Sequence, residues 1–375
     1  MKILSTSDTY LPRLGGGEYH VHYLNRELSR MGHDVTLLTT EPGPAGDDRV
    51  IRMRYKGVFS LPAIWSALWR ASKGVDVIHA HYSYRLACVA AGVALLRRIP
   101  LVVTQHGLGL LPQAGAPLWQ DLVFRVWRRT SMAVATTVIS TSDDLSIDIR
   151  ALGFGAKIVH IPNGYDPEKF RPLPPPPAGA KTILAVRRLV PKNGIQYMVA
   201  ALPAILKRFP DARFVSVGGG RLENEIAALA AELGVRDSIE FLGPKSHDEL
   251  ADLYAAANVV VIPSTAESTS LSCIEAMALR RPIVASRVGG LVELIGANDE
   301  RGYLARITDT EHCDYEAPLK IAPEKIQRLA DAVIRALEYP DEALAKAEVA
   351  AVYAPGHFAW PVVAERTVDE AYVRR

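Results

Sequence analysis

Two glutamates lie eight positions apart in the segment PSTAESTSLSCIEAMA. Glu267 follows the apolar run VVVIPS, which is typical of a buried strand, and Glu275 lies in a stretch of helical character. A carboxylate accepts hydrogen bonds from neighbouring hydroxyl groups, so two acids placed here suit a sugar. The backbone amides near Ser270 and Leu271 would lie at a helix N terminus, where an anion is stabilised.

Glu275 also has a purely structural explanation. Ser272-x-x-Glu275 fits a capping box, with Ser272 at the N-cap and Glu275 at the third helical position. This explanation accounts for Glu275 and leaves Glu267 without a role. Two acids beside an anion site are unfavourable unless they bind hydroxyl groups, so the pattern favours sugar hydroxyls as their partners.

Basic residues follow another strand-like run, in the segment AVRRLVPKNG. Arg187, Arg188 and Lys192 are fixed cations at a strand end, and such cations suit a phosphate or diphosphate. A solvated basic loop would have the same composition, so both explanations stay open. Two further turns, VGGG at 217–220 and FLGPK at 241–245, would let a flat group lie against the backbone.

In the first half of the chain, Gly15, Gly16 and Gly17 precede a predicted helix, which would let backbone amides approach an anion. A flexible turn is the alternative. The spacing is not G-x-G-x-x-G, and no acidic residue ends the second strand as it does in a dinucleotide-binding fold. This disfavours a nicotinamide enzyme.

Three histidines lie in strands or directly after them. His106 follows LVVTQ and would point toward a ligand, although a structural hydrogen bond is the commoner role of a lone histidine. His79 and His81 alternate along one strand and therefore face the same side. An H-x-H pair without a third ligand nearby is a weak zinc signal, so no metal site is expected.

The elements around these residues alternate between short apolar runs and amphipathic stretches. In 18–32, for example, Val21, Leu24, Leu28 and Met31 share one helical face. Continuous apolar strands separated by helices predict parallel sheets that are covered on both faces. Ligands of such sheets bind at the carboxyl ends of the strands, and the cleft between two facing sheets is the expected site.

Length and composition point to two domains. The chain has 375 residues, and one domain takes roughly 100–200. The proline run in RPLPPPPAGA at 171–180 predicts an extended linker, so we place an N-terminal domain at 1–172 and a C-terminal domain at 173–360.

The bulk properties exclude several classes of protein. The formal net charge of +2 gives no indication of nucleic-acid binding. Three cysteines without metal-type or disulfide spacing favour a reducing compartment, the cytoplasm. The start MKILSTSD does not resemble a signal peptide, and the apolar run at 87–96 is too short to span a membrane, so a buried helix is expected there.

Taken together, these motifs resemble the retaining GT-B enzymes of glycosyltransferase family 4. The two glutamates match the E-x7-E signature of that family. The opening GGGEYHVHYLNRELSRMGHDVTLLT, the HAH and QHG strands, the IPNGYDPEKFRP segment, the RLVPKNG loop and the FLG turn follow in the same order, so the resemblance covers nearly the whole chain. It implies two Rossmann-like doubly wound domains facing across a cleft, with the donor held mainly by the C-terminal one. It also implies that the C-terminal helix at 361–375 packs back on the first domain.

The resemblance also implies roles for individual residues. Glu267, His106, Arg188 and Lys192 would be catalytic: Arg188 and Lys192 at the donor diphosphate, Glu267 at hydroxyls of the transferred sugar, and His106 near that sugar. Glu275 would bind the ribose hydroxyls. The expected donor-binding residues are Gly15, Gly16, Gly17, Arg188, Lys192, Asn193, Gly218, Leu242, Gly243, Ser270, Leu271 and Glu275. No cofactor or metal is expected.

Three departures from the family pattern bear on these roles. Arg187 stands where the family usually has glycine, and Asn193 stands where it usually has the diphosphate lysine. The common E-G-F-G version of the first glutamate's loop is here E-S-T-S, from Glu267 to Ser270. Whether Lys192 or Asn193 takes the lysine's place is open, and the added hydroxyls bear on the choice of donor.

The function expected from the resemblance is transfer of a sugar from a nucleoside diphosphate donor, UDP favoured and GDP-mannose next, to a glycan or a lipid-linked acceptor. A nucleotide-sugar epimerase or hydrolase, and an inactive sugar-nucleotide-binding protein, are the alternatives. The segments 60–74 and 117–130 mix tryptophan with arginine, as interfacial helices do, which gives two explanations: peripheral contact with the membrane, or packing within the N-terminal domain.

Overall fold

The computed structural model describes residues 1–44, 47–107, 118–176, 179, 181–313 and 321–373. Parts of three predicted segments lie outside the described residues. They are positions 177, 178 and 180 of the proline-rich run, position 117 of the second tryptophan segment, and positions 374 and 375 of the C-terminal helix.

The chain divides into two compact α/β units. Unit 1 consists of residues Met1–Gly164 together with the C-terminal residues from Trp360, and unit 2 consists of Tyr165–Ala359. The strands of unit 1 are β1 (Lys2–Ser7), β2 (Asp34–Thr39), β3 (Val50–Arg52), β4 (Val77–His81), β5 (Leu101–Gln105), β6 (Thr137–Ser140) and β7 (Lys157–His160). The strands of unit 2 are β8 (Thr182–Val186), β9 (Arg213–Val217), β10 (Ile239–Gly243), β11 (Val259–Ile262), β12 (Ile283–Ser286) and β13 (Tyr303–Ala305).

Helices connect these strands. Those of unit 1 are α1 (Gly16–Arg30), α2 (Leu61–Ala71), α3 (Arg85–Arg97), α4 (Leu118–Val134), α5 (Asp143–Ala151) and, near the C terminus, α13 (Trp360–Arg366), which a π-helical segment (Thr367–Tyr372) continues. Those of unit 2 are α6 (Ile195–Arg208), α7 (Glu223–Glu232), α8 (His247–Ala256), α9 (Leu271–Ala278), α10 (Gly290–Ile295), α11 (Pro323–Glu338) and α12 (Pro340–Phe358).

Both sheets are parallel, as the continuous apolar strands predict. Their orders are β3-β2-β1-β4-β5-β6-β7 and β10-β9-β8-β11-β12-β13. Every residue of β4, β5, β11 and β12 is buried, which requires cover on both faces of each sheet. The strand order reverses between β1 and β4 in one sheet and between β8 and β11 in the other, and doubly wound sheets bind their ligands at such positions.

The periodicity of α1 is confirmed for most of its predicted face. Val21, Leu24 and Leu28 are buried, whereas Met31 is 43% exposed. The helix ends at Arg30, and Gly32 with φ +87° takes the chain away from the helical path, so Met31 no longer lies on the buried face.

The boundary between the units differs from the predicted linker. The chain enters unit 2 at Tyr165, where the Tyr165 amide donates to the Phe358 carbonyl at 2.8 Å and so pairs the two ends of the unit. The following residues already belong to unit 2, because the Leu173 amide donates to the Leu279 carbonyl at 3.2 Å and Arg281 donates to the Pro174 carbonyl. Proline removes a donor but keeps a carbonyl, so Pro174 can still be held as an acceptor.

Two short edge strands, β3 and β13, were not predicted, since each has only three residues. The apolar stretch at 87–96 lies in α3, where Ala87, Ala90 and Ala94 are buried while Leu95 and Leu96 are exposed. Among the described residues, no helix is both long and apolar enough to cross a bilayer.

Candidate functional site

The topology of unit 2 brings the two suspected loops together. Strands β8 and β11 are hydrogen-bonded neighbours, so the loops that follow their carboxyl ends meet at the position where the strand order reverses. The Thr265 amide donates to the Lys192 carbonyl at 2.8 Å. A Cβ at Gly194 would lie 1.7 Å from the Pro263 carbonyl oxygen, so only glycine allows this approach between the two backbones.

Arg187 lies at the centre of this arrangement. Its guanidinium forms an ion pair with Glu267 and donates from Nη1 to Ser270 Oγ at 3.0 Å. Its Nη2 also donates to Ser264 Oγ at 2.5 Å and to Asn193 Oδ1 at 3.2 Å. The Arg187 side chain is 9% exposed. The structure thus adds a buried cation that the sequence placed among the strand-end residues but not among the site residues.

The electrostatics of the cluster keep Glu267 ionised. Burial by itself would raise the pKa of this carboxyl, but the positive charges of Arg187 and Lys192 outweigh burial and hold its pKa below the ordinary value. Burial lowers the pKa of Lys192, and the charge of Glu267 opposes that effect. At neutral pH the loop pair therefore has a carboxylate surrounded by cations.

The N terminus of α9 differs from the predicted capping box. The N-cap residue is Ser270, whose Oγ accepts a hydrogen bond from the Cys273 amide at 3.3 Å, and Leu271 is the first helical residue. The prediction that Ser272 is the N-cap is wrong, because Ser270 already has the extended backbone and the side-chain oxygen that an N-cap requires. Glu275 consequently lies inside the helix and needs another explanation.

Glu275 is held by two side chains of α8. The Tyr254 hydroxyl donates to its Oε2 at 2.9 Å, and Nε2 of His247 lies 3.3 Å from its Oε1. All three side chains are largely buried, and burial, with Glu275 close by, raises the pKa of Tyr254 well above its ordinary value. Neither Tyr254 nor His247 was predicted. The detectable signal is the capping box of α8, in which Ser246 and Glu249 fix the helix start next to His247.

The glycine turns predicted for the donor lie beside Arg187. The Gly218 amide, after β9, donates to the Gly243 carbonyl at the end of β10 at 2.8 Å. Leu242 precedes Gly243 in β10. A Cβ at Gly218 would lie 2.2 Å from the Arg187 carbonyl oxygen, so the backbones of three neighbouring strand ends are in contact here.

Arg188 has a different environment from Arg187. Its side chain is exposed, and within the described ranges its guanidinium makes no hydrogen bond or ion pair. Asn193, by contrast, is buried: its Nδ2 donates to the Arg188 carbonyl at 2.8 Å while its Oδ1 accepts from Arg187. Asn193 therefore organises the loop backbone.

Unit 1 brings four histidines together near the carboxyl ends of β4 and β5: His20, His79, His81 and His106. His79 accepts or donates at both ring nitrogens, to the Tyr372 hydroxyl and to Thr104 Oγ1, each at 2.6 Å. Nδ1 of His81 lies 3.3 Å from Nε2 of His106, and the ring of His20 packs edge-on against that of His106 with centroids 4.5 Å apart. The prediction that His79 and His81 face the same side is confirmed by ring centroids 4.3 Å apart.

Burial keeps these imidazoles neutral. It lowers the pKa of His20 to about 4 and that of His79 to about 3, and it holds the pKa values of His81 and His106 well below the ordinary value. At neutral pH His106 can therefore donate or accept a hydrogen bond but is not a cation.

Three histidines of this cluster lie close enough together to hold a metal ion, a grouping that the sequence alone could not show. Ligand nitrogens of His20, His81 and His106 all lie within 4.8 Å of one another, and neutral imidazoles are the form that binds zinc. Nδ1 of His20 lies 2.7 Å from Asn163 Oδ1, an outer contact of the kind that orients a ligating histidine. His79, the other histidine of the H-x-H pair, is not among these three, because its ring nitrogens contact Tyr372 and Thr104.

The predicted glycine loop of unit 1 begins α1, with Gly15 at the N-cap and Gly16 and Gly17 in the first turn. The carboxylate of Glu18 lies against Gly15, since a Cβ there would be 2.4 Å from Glu18 Oε2. Glu18 also pairs with Arg13 at 3.6 Å. An anion at this N terminus would meet that carboxylate.

Comparisons with known proteins agree with this architecture. The family model described as "Glycosyl transferases group 1" matches residues 166–351, and the model described as "Glycosyltransferase Family 4" matches residues 14–169. An uncharacterised glycosyltransferase of Methanocaldococcus jannaschii is 31% identical over 325 residues, which are 79% of this chain and 83% of the relative. This chain is a glycosyltransferase of the family 4 kind.

A second relative and one solved structure extend the comparison of this glycosyltransferase. A GDP-mannose-dependent alpha-(1-6)-phosphatidylinositol monomannoside mannosyltransferase of Mycobacterium tuberculosis is 24% identical and covers 98% of this chain and 97% of its own. HepE of Anabaena, solved with UDP and glucose, superimposes with a TM-score of 0.78 at 21% identity over 99% of both chains. The fold is therefore GT-B, with a parallel α/β sheet in each unit.

The predicted site residues of this glycosyltransferase fall into two groups. Unit 2 brings together the two glutamate-bearing segments, the cationic loop and the glycine turns; these residues are Glu267, Glu275, Ser270, Leu271, Arg188, Lys192, Asn193, Gly218, Leu242 and Gly243. Unit 1 contains the other group, Gly15, Gly16, Gly17 and His106. Arg187, Tyr254 and His247 join the first group through contacts that the sequence did not reveal.

Proposed function

We propose that this glycosyltransferase moves a sugar from a nucleoside diphosphate donor to an acceptor hydroxyl, with retention at the anomeric carbon and without a metal ion. The observation that carries the proposal is the cluster at the N terminus of α9, where Glu267 lies among cations and Arg187 bonds the N-cap residue Ser270. Such a cluster binds a diphosphate and a polyol at the same time.

Each member of the cluster has a distinct role in the proposal. Arg188 and Lys192, with the amides at Ser270 and Leu271, neutralise the diphosphate as it departs. Glu267 accepts hydrogen bonds from hydroxyls of the transferred sugar, and Glu275 does so from the ribose. The exposed guanidinium of Arg188 can reorient toward a ligand, because nothing among the described residues holds it.

The remaining predicted residues complete the proposal. Asn193, Gly218, Leu242 and Gly243 shape the backbone around the nucleotide. His106 contacts the sugar as a neutral hydrogen-bonding group, in agreement with the low pKa that burial gives it. For the amides of Gly15–Gly17 to assist at the phosphates, the carboxylate of Glu18 has to move away from Gly15.

The chemistry follows from these positions. The bond from the anomeric carbon to the leaving phosphate oxygen breaks, and the acceptor oxygen bonds to the same face of that carbon. The acceptor proton passes to the departing phosphate oxygen, so Glu267 forms no covalent intermediate. The cations stabilise the charge that develops on the diphosphate, and the carboxylate stabilises an oxocarbenium-like sugar.

The proposed donor is a UDP-sugar, and GDP-mannose is the second candidate. HepE was solved with UDP and glucose, and the mycobacterial relative is named for GDP-mannose, so both choices have support. A thermal-shift screen against UDP, GDP and ADP tests this choice. The nucleotide that raises the melting temperature most identifies the donor class.

A transfer assay with that donor tests the site. Glu267→Ala and Arg188→Ala should each lower kcat/KM by about a hundredfold or more, since each removes a group that stabilises the transition state. Arg208→Ala is the matched control, because Arg208 pairs with Glu338 on an exposed surface of the same unit. Near-normal turnover in either site variant would contradict the assignment.

Two further readouts separate the alternatives. Activity that survives EDTA, in protein without stoichiometric metal, supports the metal-free mechanism; loss on chelation with recovery on adding zinc would instead implicate His20, His81 and His106. Donor incubated without acceptor should stay intact. Rapid hydrolysis or epimerisation would favour the alternative enzyme classes.

We also propose that unit 1 contacts the membrane surface through α4. Trp119, Leu122 and Val126 share one face of this helix and are all more than half exposed. The name of the mycobacterial relative includes a lipid acceptor, which supports a lipid-linked acceptor here. Co-sedimentation with anionic liposomes should fall in a Trp119→Ser, Leu122→Ser variant, and equal co-sedimentation would contradict the proposal.

A further inference from the structure

Arg187 has the properties of a ligand-binding cation. A guanidinium has five N–H donors in a planar fork. The Nη atoms of Arg187 contact Glu267, Ser264, Ser270 and Asn193, but its buried Nε has no hydrogen-bond partner among the described residues. A buried donor without an acceptor is costly, so a donor that stays unsatisfied in the protein alone suggests an acceptor supplied by a ligand.

The position of Arg187 indicates what that acceptor is. Its Nη1 lies 3.0 Å from the Oγ of Ser270, the N-cap of α9, and the first-turn amides of that helix begin at the next residue. A helix N terminus and a guanidinium both favour a phosphate oxygen. Glu267 offsets only one of the positive charges of Arg187, Arg188 and Lys192, so the cluster still attracts a diphosphate.

Asn193 is coupled to this cation. Its Oδ1 accepts from Arg187 while its Nδ2 donates to the Arg188 carbonyl, so it needs an acceptor and a donor on one side chain. A lysine at position 193 has no acceptor and would place an ammonium group against the guanidinium. A cation at position 187 and a neutral amide at position 193 therefore form a compatible pair, and cations at both positions do not.

We propose that Arg187 binds the diphosphate of the donor and supplies the positive charge that position 193 lacks. The inference rests on the proposed function and adds a specific residue to it. Glu267 holds the guanidinium in place before the donor binds. The donor phosphate then takes the open Nε–H, and the ion pair with Glu267 persists beside it.

Isothermal titration tests the inference with the nucleoside diphosphate selected by the thermal-shift screen. Arg187→Ala should weaken binding of that nucleotide by about 10-fold to 100-fold, the loss expected for a charge-assisted hydrogen bond, and should leave binding of the free nucleoside unchanged. Asn193→Lys alone should also weaken binding, because the new ammonium group would repel the guanidinium of Arg187.

The double variant Arg187→Ala, Asn193→Lys supplies the decisive comparison. It removes the cation at position 187 and introduces one at position 193. It should therefore bind the nucleotide more tightly than Arg187→Ala does. Arg187→Lys, which keeps the charge without the planar fork, should lie between Arg187→Ala and the original protein. Arg208→Ala should match the original protein throughout, and melting temperatures confirm that each variant is folded.

Four outcomes would overturn the inference. A purely structural Arg187 predicts that the double variant is no better than Arg187→Ala. An arginine that reads a carboxylate on the donor sugar predicts unchanged nucleotide affinity and a loss confined to UDP-glucuronate as compared with UDP-glucose. Absence of nucleotide binding in the original protein would overturn the proposed function as well, whereas intact binding in Arg187→Ala would overturn only the inference.

Discussion

At the scale of single residues, the sequence predicted which charged residues lie at the strand ends better than it predicted their burial and their contacts. The sequence showed three cations after one strand and two acids after another. It could not show that Arg187, rather than Arg188, is buried against Glu267, because adjacent residues differ in orientation only once the backbone is folded. The same holds for Glu275, whose partners Tyr254 and His247 lie in the preceding helix, α8.

The contact between Tyr254 and Glu275 gives a prediction at this scale. Tyr254→Phe removes a buried hydrogen bond to a carboxylate, so the free energy of unfolding should fall by about 1.5–3 kcal/mol. Urea denaturation measures this change. If Glu275 binds the ribose, the KM for the donor should rise as well.

Tyr165→Phe is the matched control for that measurement. Tyr165 is a buried tyrosine of the same unit, and in the described part of the chain its hydroxyl makes no hydrogen bond. Its variant should stay within about 0.5 kcal/mol of the original protein. Equal effects of the two substitutions would argue against a stabilising Tyr254–Glu275 bond.

At the scale of elements, the long strands and helices were predictable, and the helix starts and short strands were not. Four apolar residues in a row fix β11, and the period of α6 is read directly from its sequence. The cap of α9 was misplaced because Ser270 and Ser272 both have the required hydroxyl. The three-residue strands β3 and β13 leave too short a pattern to detect.

The turn after β9 gives a prediction for the strand ends. Gly218 has φ +131°, and a Cβ there would lie 2.2 Å from the Arg187 carbonyl oxygen. Gly218→Ala should therefore displace the loop that carries Arg187 and lower both the melting temperature and the affinity for the nucleoside diphosphate. The strain alone is about 1–3 kcal/mol.

Gly234→Ala separates the clash from the backbone conformation. Gly234 also has a positive φ, +67°, but a Cβ there meets nothing within 4 Å. The Gly234→Ala substitution should lower the free energy of unfolding by about 1 kcal/mol and leave the affinity for the nucleotide unchanged. A Gly218 variant that behaves like the Gly234 variant would show that the strand-end contact does not position the site.

At the scale of the whole molecule, the two α/β units and the family were predictable because the motifs run in order along the chain. The boundary was not, since the proline-rich run looks like a linker but is bonded to unit 2 through the Leu173 amide and the Pro174 carbonyl. The return of the C-terminal residues to unit 1 was expected only from the resemblance, and their anchor, Trp360, was not identified.

Trp360 gives a prediction for this scale. It is 1% exposed and packs against Tyr23 and His20 in unit 1. Trp360→Ala should destabilise unit 1 by about 3–5 kcal/mol. Hydrogen exchange should accelerate in β1 and β4 but not in β8 or β11, and nucleotide affinity should persist if unit 2 holds the donor. Trp119→Ala is the control, because Trp119 is 65% exposed. It should change neither the stability of unit 1 nor the hydrogen exchange of its strands.

The split composition of unit 1 has a consequence for synthesis on the ribosome. All of Tyr165–Ala359 is translated before Trp360, so unit 2 has its complete sequence while unit 1 still lacks the segment that covers Tyr23 and bonds His79. Nascent domains usually mature from the N terminus onward. Here the earliest-made sheet is the last to be finished, and the face that Trp360 and Tyr372 cover stays open until translation reaches them.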